Sequence, residues 1–233
     1  MRYITERHIV NKQIYQYVFL KSLIENYQDY VKEWLNKTLK DIESEAIASS
    51  EGEEDKEIAA SIYTNIYSQG ASCAYDKIDS EDVLFYKAML IMVYSYYEGI
   101  INKMAEDAGT QGRPSLICGK CEKVLSKEST DKVTFLFDYI LPLRNHLCHN
   151  DSGTKDRDYE KTVQALKCLQ DGHYIEMDYQ TDSEGQIIIE TCSIKCIKKE
   201  FILDVLDKEH VVLKELSEIV GYEDQYIEWN PNK

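Results

Sequence analysis

The segment Leu141-Pro142-Leu143-Arg144-Asn145-His146-Leu147-Cys148-His149-Asn150 concentrates two of the chain's five histidines beside an arginine and an asparagine. An arginine brings a permanent charge and a planar fork that matches phosphate oxygens. A histidine gives or takes a proton near neutral pH, and an asparagine orients either one. Together they supply the parts for phosphodiester cleavage without a metal. A plainer reading stands beside this one. Arg144 and His149 are also the cations expected in the last turn of a helix, and Asn150-Asp151-Ser152-Gly153 has the composition of a helix C-terminus.

Helical geometry separates these residues from the core. At about 100° per residue, Leu136, Ile140, Leu143 and Leu147 share a narrow apolar stripe, while Arg144, Asn145, Cys148 and His149 occupy a different arc. Asn145 and His149, four apart, are neighbours on that arc. His146 falls off it and is a secondary candidate. Pro142 is an interior helix breaker and predicts a bend just before the cluster.

The elements that must position this cluster are helical. Apolar residues from Ile9 to Leu39 recur every three to five positions, which predicts a long amphipathic helix over about 8–40. A second helix is expected from Asp55 to Ser68, ended by Gly70, and a third from an N-cap at Ser80 to about Met104. The run Ala88-Met89-Leu90-Ile91-Met92-Val93 is apolar on every face and predicts a helix buried on all sides. After Gly109, Gly112 and Pro114 a short helix runs to about Lys127, and Ser129 or Thr130 begins the helix that carries the cluster. A further helix is expected from about Arg157 to Leu169, ending at Gly172. The stretches 174–179 and 186–191, joined by Thr181-Asp182-Ser183-Glu184-Gly185, read as a β-hairpin, and a last helix runs over about 198–220. The expected fold is mainly α, with a helical domain over 1–172 and a hairpin plus C-terminal helix over 173–233 packed on it.

Arg144-Asn145-His146-Leu147-Cys148-His149 resembles the Arg-Asn-x-x-x-His signature of the HEPN superfamily, helical RNases and nucleotide-binding proteins. Tyr94-Ser95-Tyr96-Tyr97-Glu98-Gly99, in the helix before it, resembles an aromatic-x-x-aromatic-Glu-Gly stretch of stand-alone HEPN families. The resemblance implies a HEPN-like helical bundle in which His149 is the general acid/base, Arg144 stabilises the phosphate in its transition state, and Asn145 positions the phosphate or His149. The implied reaction is metal-independent transesterification of RNA by its 2′-hydroxyl, needing no cofactor, in a homodimer whose two motifs meet across a two-fold axis. It implies a toxin or defence effector, with an antitoxin or regulatory protein as a partner. His149 is followed by Asn150 and Asp151, not by the His-x-Tyr extension of HEPN proteins paired with nucleotidyltransferase antitoxins, which counts against that pairing. Glu98 has two readings of equal weight: a paired acid that holds Arg144 or orients His149, or a carboxylate beside Gly99 where the helix loosens.

Composition bounds these readings. Only 10 glycines and 3 prolines in 233 residues disfavour linker-rich or turn-dense all-β folds. No run approaches the roughly 20 apolar residues of a membrane span, and the first ten residues lack a signal peptide's apolar stretch. Seven irregularly spaced cysteines point to reduced thiols in a cytoplasmic protein. Cys118, Cys121, Cys192 and Cys196 could together make a zinc site, but their spacing is loose and no metal is expected. The tyrosines, among them Tyr27, Tyr30 and Tyr96, are expected to pack rather than stack bases. The net charge of −15 excludes a protein that coats nucleic acid unspecifically. Eight acids between Asp41 and Glu57, against Lys56 alone, account for much of it, and Arg113 to Lys132 is locally positive. Two rivals to an RNase follow: a non-catalytic HEPN-fold dimer that binds nucleotide, RNA or protein, and an acidic interaction protein that uses 41–57 as a nucleic-acid mimic.

Overall fold

The computed structural model describes residues 2–110, 113–120, 122–149 and 159–221, apart from the side chains of 2–15, 149 and 159. The chain is mainly α. In order come α1 (Arg2–Ser50), α2 (Lys56–Asp107), α3 (Pro114–Lys120), α4 (Lys127–Phe135), a π-helical turn (Leu136–Ile140), α5 (Leu141–His149), α6 (Tyr159–Asp171), β1 (Ile175–Thr181), β2 (Ile187–Ile197) and α7 (Lys199–Val220). No described helix is long and apolar enough to cross a membrane. Two compact units arise, one of residues 1–24 and 86–233 and the other of 25–85, so the division runs through α1 and α2.

The 25–85 unit is an antiparallel helical hairpin. Tyr27 stacks on Phe85 with ring centroids 3.6 Å apart, Lys77 lies over the Trp34 ring, and Gly70 faces Ile42. Each pair is centred on positions 55 to 56, which places the reversal at the turn 51–55. Asp55 caps α2, its carboxylate accepting from the Glu57 and Ile58 amides. The acids from Asp41 to Glu57 are exposed around this turn.

Here the structure corrects the expected boundaries. Gly70 does not end a helix and Ser80 does not start one, because α2 runs unbroken through both. The Ser80 hydroxyl donates back to the Lys77 carbonyl, a helix-interior use. Gly70 is retained for space: a Cβ there would lie 2.8 Å from Ile42 Cγ2. Nor is Ala88–Val93 buried on all sides, since Met92 is 45% exposed and Ala88 is exposed. Tyr30 is 66% exposed rather than packed.

In the other unit, the later part of α2 supplies buried Met89, Leu90, Val93, Tyr94, Tyr97 and Met104. α7 contributes Phe201, Ile202, Val205, Leu206, Val212, Leu213 and Leu216, a stripe at helical spacing, and packs against α3 and α4. The beginning of α1 is tied to α7 by the stack of Tyr17 on His210 and by Asp207, which accepts from Tyr17 and pairs with Lys21. α4 starts earlier than expected, at Lys127, with Ser126 as its N-cap. Glu215 of α7 accepts from the Ser126 amide, the Ser126 hydroxyl and the Ser129 hydroxyl, so one helix helps cap another.

β1 and β2 pair antiparallel around an Asp182 turn in which Gly185 takes φ +79°. β2 runs six residues beyond the expected Thr191. Two register shifts move its inward positions from Ile187 and Ile189 to Cys192 and Ile194, then to Ile197. α7 ends on Gly221 in the left-handed conformation, at φ +92°.

Candidate functional site

The site is assembled from α2 and α5. Pro142 has no N–H to offer the Asp138 carbonyl, and its ring crowds that carbonyl. The helix accommodates this by widening into the π turn, where the Leu141 amide bonds to the Leu136 carbonyl five residues back. The expected bend at Pro142 takes this form. Leu136, Ile140 and Leu143 are fully buried and lock α5 to the core, leaving Arg144 and Asn145 partly exposed and Cys148 exposed.

Arg144 is held from two sides. Its Nη2 lies 3.4 Å from Glu98 Oε2 on α2, and its Nη1 donates to Asn145 Oδ1 at 3.0 Å. Of the two readings of Glu98, the geometry matches the paired acid. The Arg144 side chain is only 23% exposed, while that of Glu98 is 43% exposed. The guanidinium has five N–H donors, and its buried Nε has no partner among the described residues. A desolvated donor without an acceptor is costly, and an anion or a water at that edge would satisfy it. Asn145 is therefore positioned to orient Arg144. His149 closes α5 on the turn after Asn145, and its side chain lies outside the described residues. His146 is buried and partnered, in keeping with its place off the polar arc.

Close to this group lie two buried tyrosines and a buried carboxyl that the Arg-Asn-x-x-x-His pattern does not include. Tyr94 is 2% exposed. Burial above all, then the negative charge of Glu98, pushes its hydroxyl well up, while Arg144 acts in the opposite sense. Tyr97 is also buried, and among the described residues its hydroxyl has no partner. Glu209 of α7 is fully buried, and among the described residues neither of its oxygens has a hydrogen-bond partner; burial drives its carboxyl far above the usual carboxylate range. A carboxyl whose ionisation burial opposes thus lies in the interior near Tyr94 and Tyr97. The signal was in the sequence: Glu209 interrupts the α7 stripe between Val205 or Leu206 and Val212 or Leu213, where an apolar residue belongs.

Among the described residues no group of three or more His, Cys, Asp or Glu side chains is placed to hold a metal ion. Cys118 is buried on α3, and Cys192 and Cys196 lie on β2. Cys121 lies outside the described residues. The chain matches no protein-family model, no curated protein and no solved structure.

Proposed function

We propose that this protein is a metal-independent endoribonuclease of HEPN type, with Arg144, Asn145 and His149 as its catalytic group and Glu98 as a positioning residue. In the proposed reaction the 2′-hydroxyl of RNA attacks the adjacent phosphorus and the bond to the 5′ oxygen breaks. The products are a 2′,3′-cyclic phosphate and a 5′-hydroxyl. His149 takes the 2′ proton and returns one to the leaving oxygen, and Arg144 neutralises charge gathering on the phosphoryl oxygens. The observation that carries this reading is the Arg144 guanidinium, fixed by Glu98 and Asn145 yet with an Nε that has no partner among the described residues. A homodimer with its two motifs facing one another completes the proposal, since a second Arg144 would strengthen a local positive field that the net charge opposes. The biological role that fits such chemistry is a toxin or defence effector, held in check by an antitoxin or regulatory protein in the cytoplasm.

The test is cleavage of total RNA and of a tRNA pool in EDTA by the purified protein, with circular dichroism as the control for folding. EDTA-resistant cutting that both Arg144→Ala and His149→Ala abolish supports the proposal. Equal cutting by the wild type and both variants sinks it. The non-catalytic dimer would then lead, because an arginine engaged by Glu98 and Asn145 also suits a purely structural role.

A further inference from the structure

A cavity of about 450 Å³ opens between α3, the chain before α4, and the outer face of α4 with its π turn. None of Arg144, Asn145 or Glu98 lines it. Its size falls within the roughly 300–1,000 Å³ of small-molecule sites. Most of its wall is apolar: Val124, Leu125, Val133 and Phe137, with Cys118 also lining it. Val124 is 89% exposed, so apolar surface is left bare at the rim.

Apart from Ser115 and Arg113, the polar groups that line this cavity are already engaged. The Thr130 hydroxyl donates to the Ser126 carbonyl and the Thr134 hydroxyl to the Thr130 carbonyl, both within α4. The Asp138 carboxylate is neutralised by Lys161 at 3.1 Å. The Arg113 carbonyl accepts from the Leu116 and Ile117 amides, which occupies donors at the start of α3. Arg113 itself forms no ion pair among the described residues. Its guanidinium carbon lies 5.4 Å from the centroid of Phe137, on the face of the ring. Cation–π contact of this kind steadies a guanidinium without neutralising it. The cavity therefore offers an apolar interior and a single uncompensated positive charge with a planar fork.

We propose that this cavity binds a small apolar molecule carrying one carboxylate, such as an aromatic acid or a medium-chain fatty acid. Arg113 holds the carboxylate through its fork, and Val124, Leu125, Val133 and Phe137 enclose the hydrocarbon. The charge count favours a monocarboxylate over a phosphate ester, because a dianion would leave a second charge unmatched beside Asp138. An uncharged hydrocarbon would leave Arg113 without its anion, and a cation would meet it directly.

Isothermal titration of the full chain with naphthalene-2-carboxylate tests this, with naphthalene-2-methanol as the uncharged counterpart. The expected result is one molecule bound per chain, with the alcohol at least tenfold weaker. Arg113→Ala should weaken the acid by about tenfold or more, the equivalent of one charge-assisted hydrogen bond. Thr134→Trp, a change on the exposed face of α4 that fills the cavity, should abolish binding while the circular dichroism spectrum is retained. Arg144→Ala should leave binding unchanged, which separates this site from the RNase reading. The proposal is overturned if decanoate and naphthalene-2-carboxylate both fail to bind. It is equally overturned if acid and alcohol bind alike, or if binding survives both Arg113→Ala and Thr134→Trp.

Discussion

Arg144 on α5 and Glu98 on α2, 46 residues apart in the chain, meet at 3.4 Å and fix the orientation of the guanidinium. Because the Glu98 side chain is 43% exposed, solvent screens the pair, and its coupling in a double-mutant cycle should be below about 1 kcal/mol. Urea unfolding of Glu98→Ala, Arg144→Ala and the double variant measures it. A coupling above about 2 kcal/mol would show that the pair behaves as a desolvated one.

The same pair should matter more to chemistry than to stability. Glu98→Gln keeps the side chain's size but releases the guanidinium, so RNA cleavage should fall with little change in unfolding midpoint. Arg144→Lys keeps the charge but loses the fork, so it should not restore cleavage. Its rate compared with Arg144→Ala is the check. Cleavage by Arg144→Lys at the wild-type rate would remove the guanidinium's geometry from the proposal.

Glu209 gives stability a defined pH dependence. Its carboxyl in the fold lies far above the ordinary value of 4.5 because of burial. Below that ordinary value the group is protonated in both states and costs nothing in charge. As pH rises past it, the unfolded chain releases the proton and the native chain keeps it. Stability therefore drains away with rising pH until the native carboxyl also ionises. Glu209→Gln should flatten this slope between pH 5 and pH 8, read by urea unfolding at each pH. Glu209→Met, which removes two buried oxygens with no hydrogen-bond partner among the described residues, should stabilise the fold at pH 8 by about 1–3 kcal/mol. A wild type and Glu209→Gln with parallel pH profiles would contradict a buried neutral acid.

Gly70 tests the hairpin register. Glycine in a helix interior costs about 1 kcal/mol relative to alanine, so an unconstrained Gly70→Ala would stabilise. With Ile42 Cγ2 only 2.8 Å from the added Cβ, that gain should be absent, and Gly70→Leu should destabilise by about 1–3 kcal/mol. Adding Ile42→Ala to Gly70→Leu should recover part of the loss in a thermal melt. No recovery would mean that the two positions are not opposed.

The motif and its placement were legible in the chain because they depend on local facts. Leu136, Ile140 and Leu143 repeat at helical spacing and are buried as the spacing demands, and the separation of Arg144 and Asn145 from that stripe follows from the turn angle of a helix. The β-hairpin was visible for the same reason, since Thr181 to Gly185 carries its own turn chemistry. The errors came where local signals have two uses. Gly70 and Ser80 carry the signatures of a helix end and a helix start. Inside α2 the glycine makes room for Ile42 and the hydroxyl bonds back to the Lys77 carbonyl. Helix propensity is a small energy per residue, and packing along a long hairpin exceeds it.

The sequence by itself determined the mainly helical class, the polar arc around Arg144 and Asn145, the hairpin, and the charge imbalance centred on 41–57. Only the tertiary structure decided which reading of Glu98 applies, that Glu209 is buried near Tyr94 and Tyr97 with no hydrogen-bond partner among the described residues, and that Arg113 faces Phe137 over an apolar cavity. Each of these joins residues on different elements, whose approach is set by burial of apolar surface across the whole unit. Periodicity within one helix reports which face is inward, and it does not report which side chain of another helix waits there.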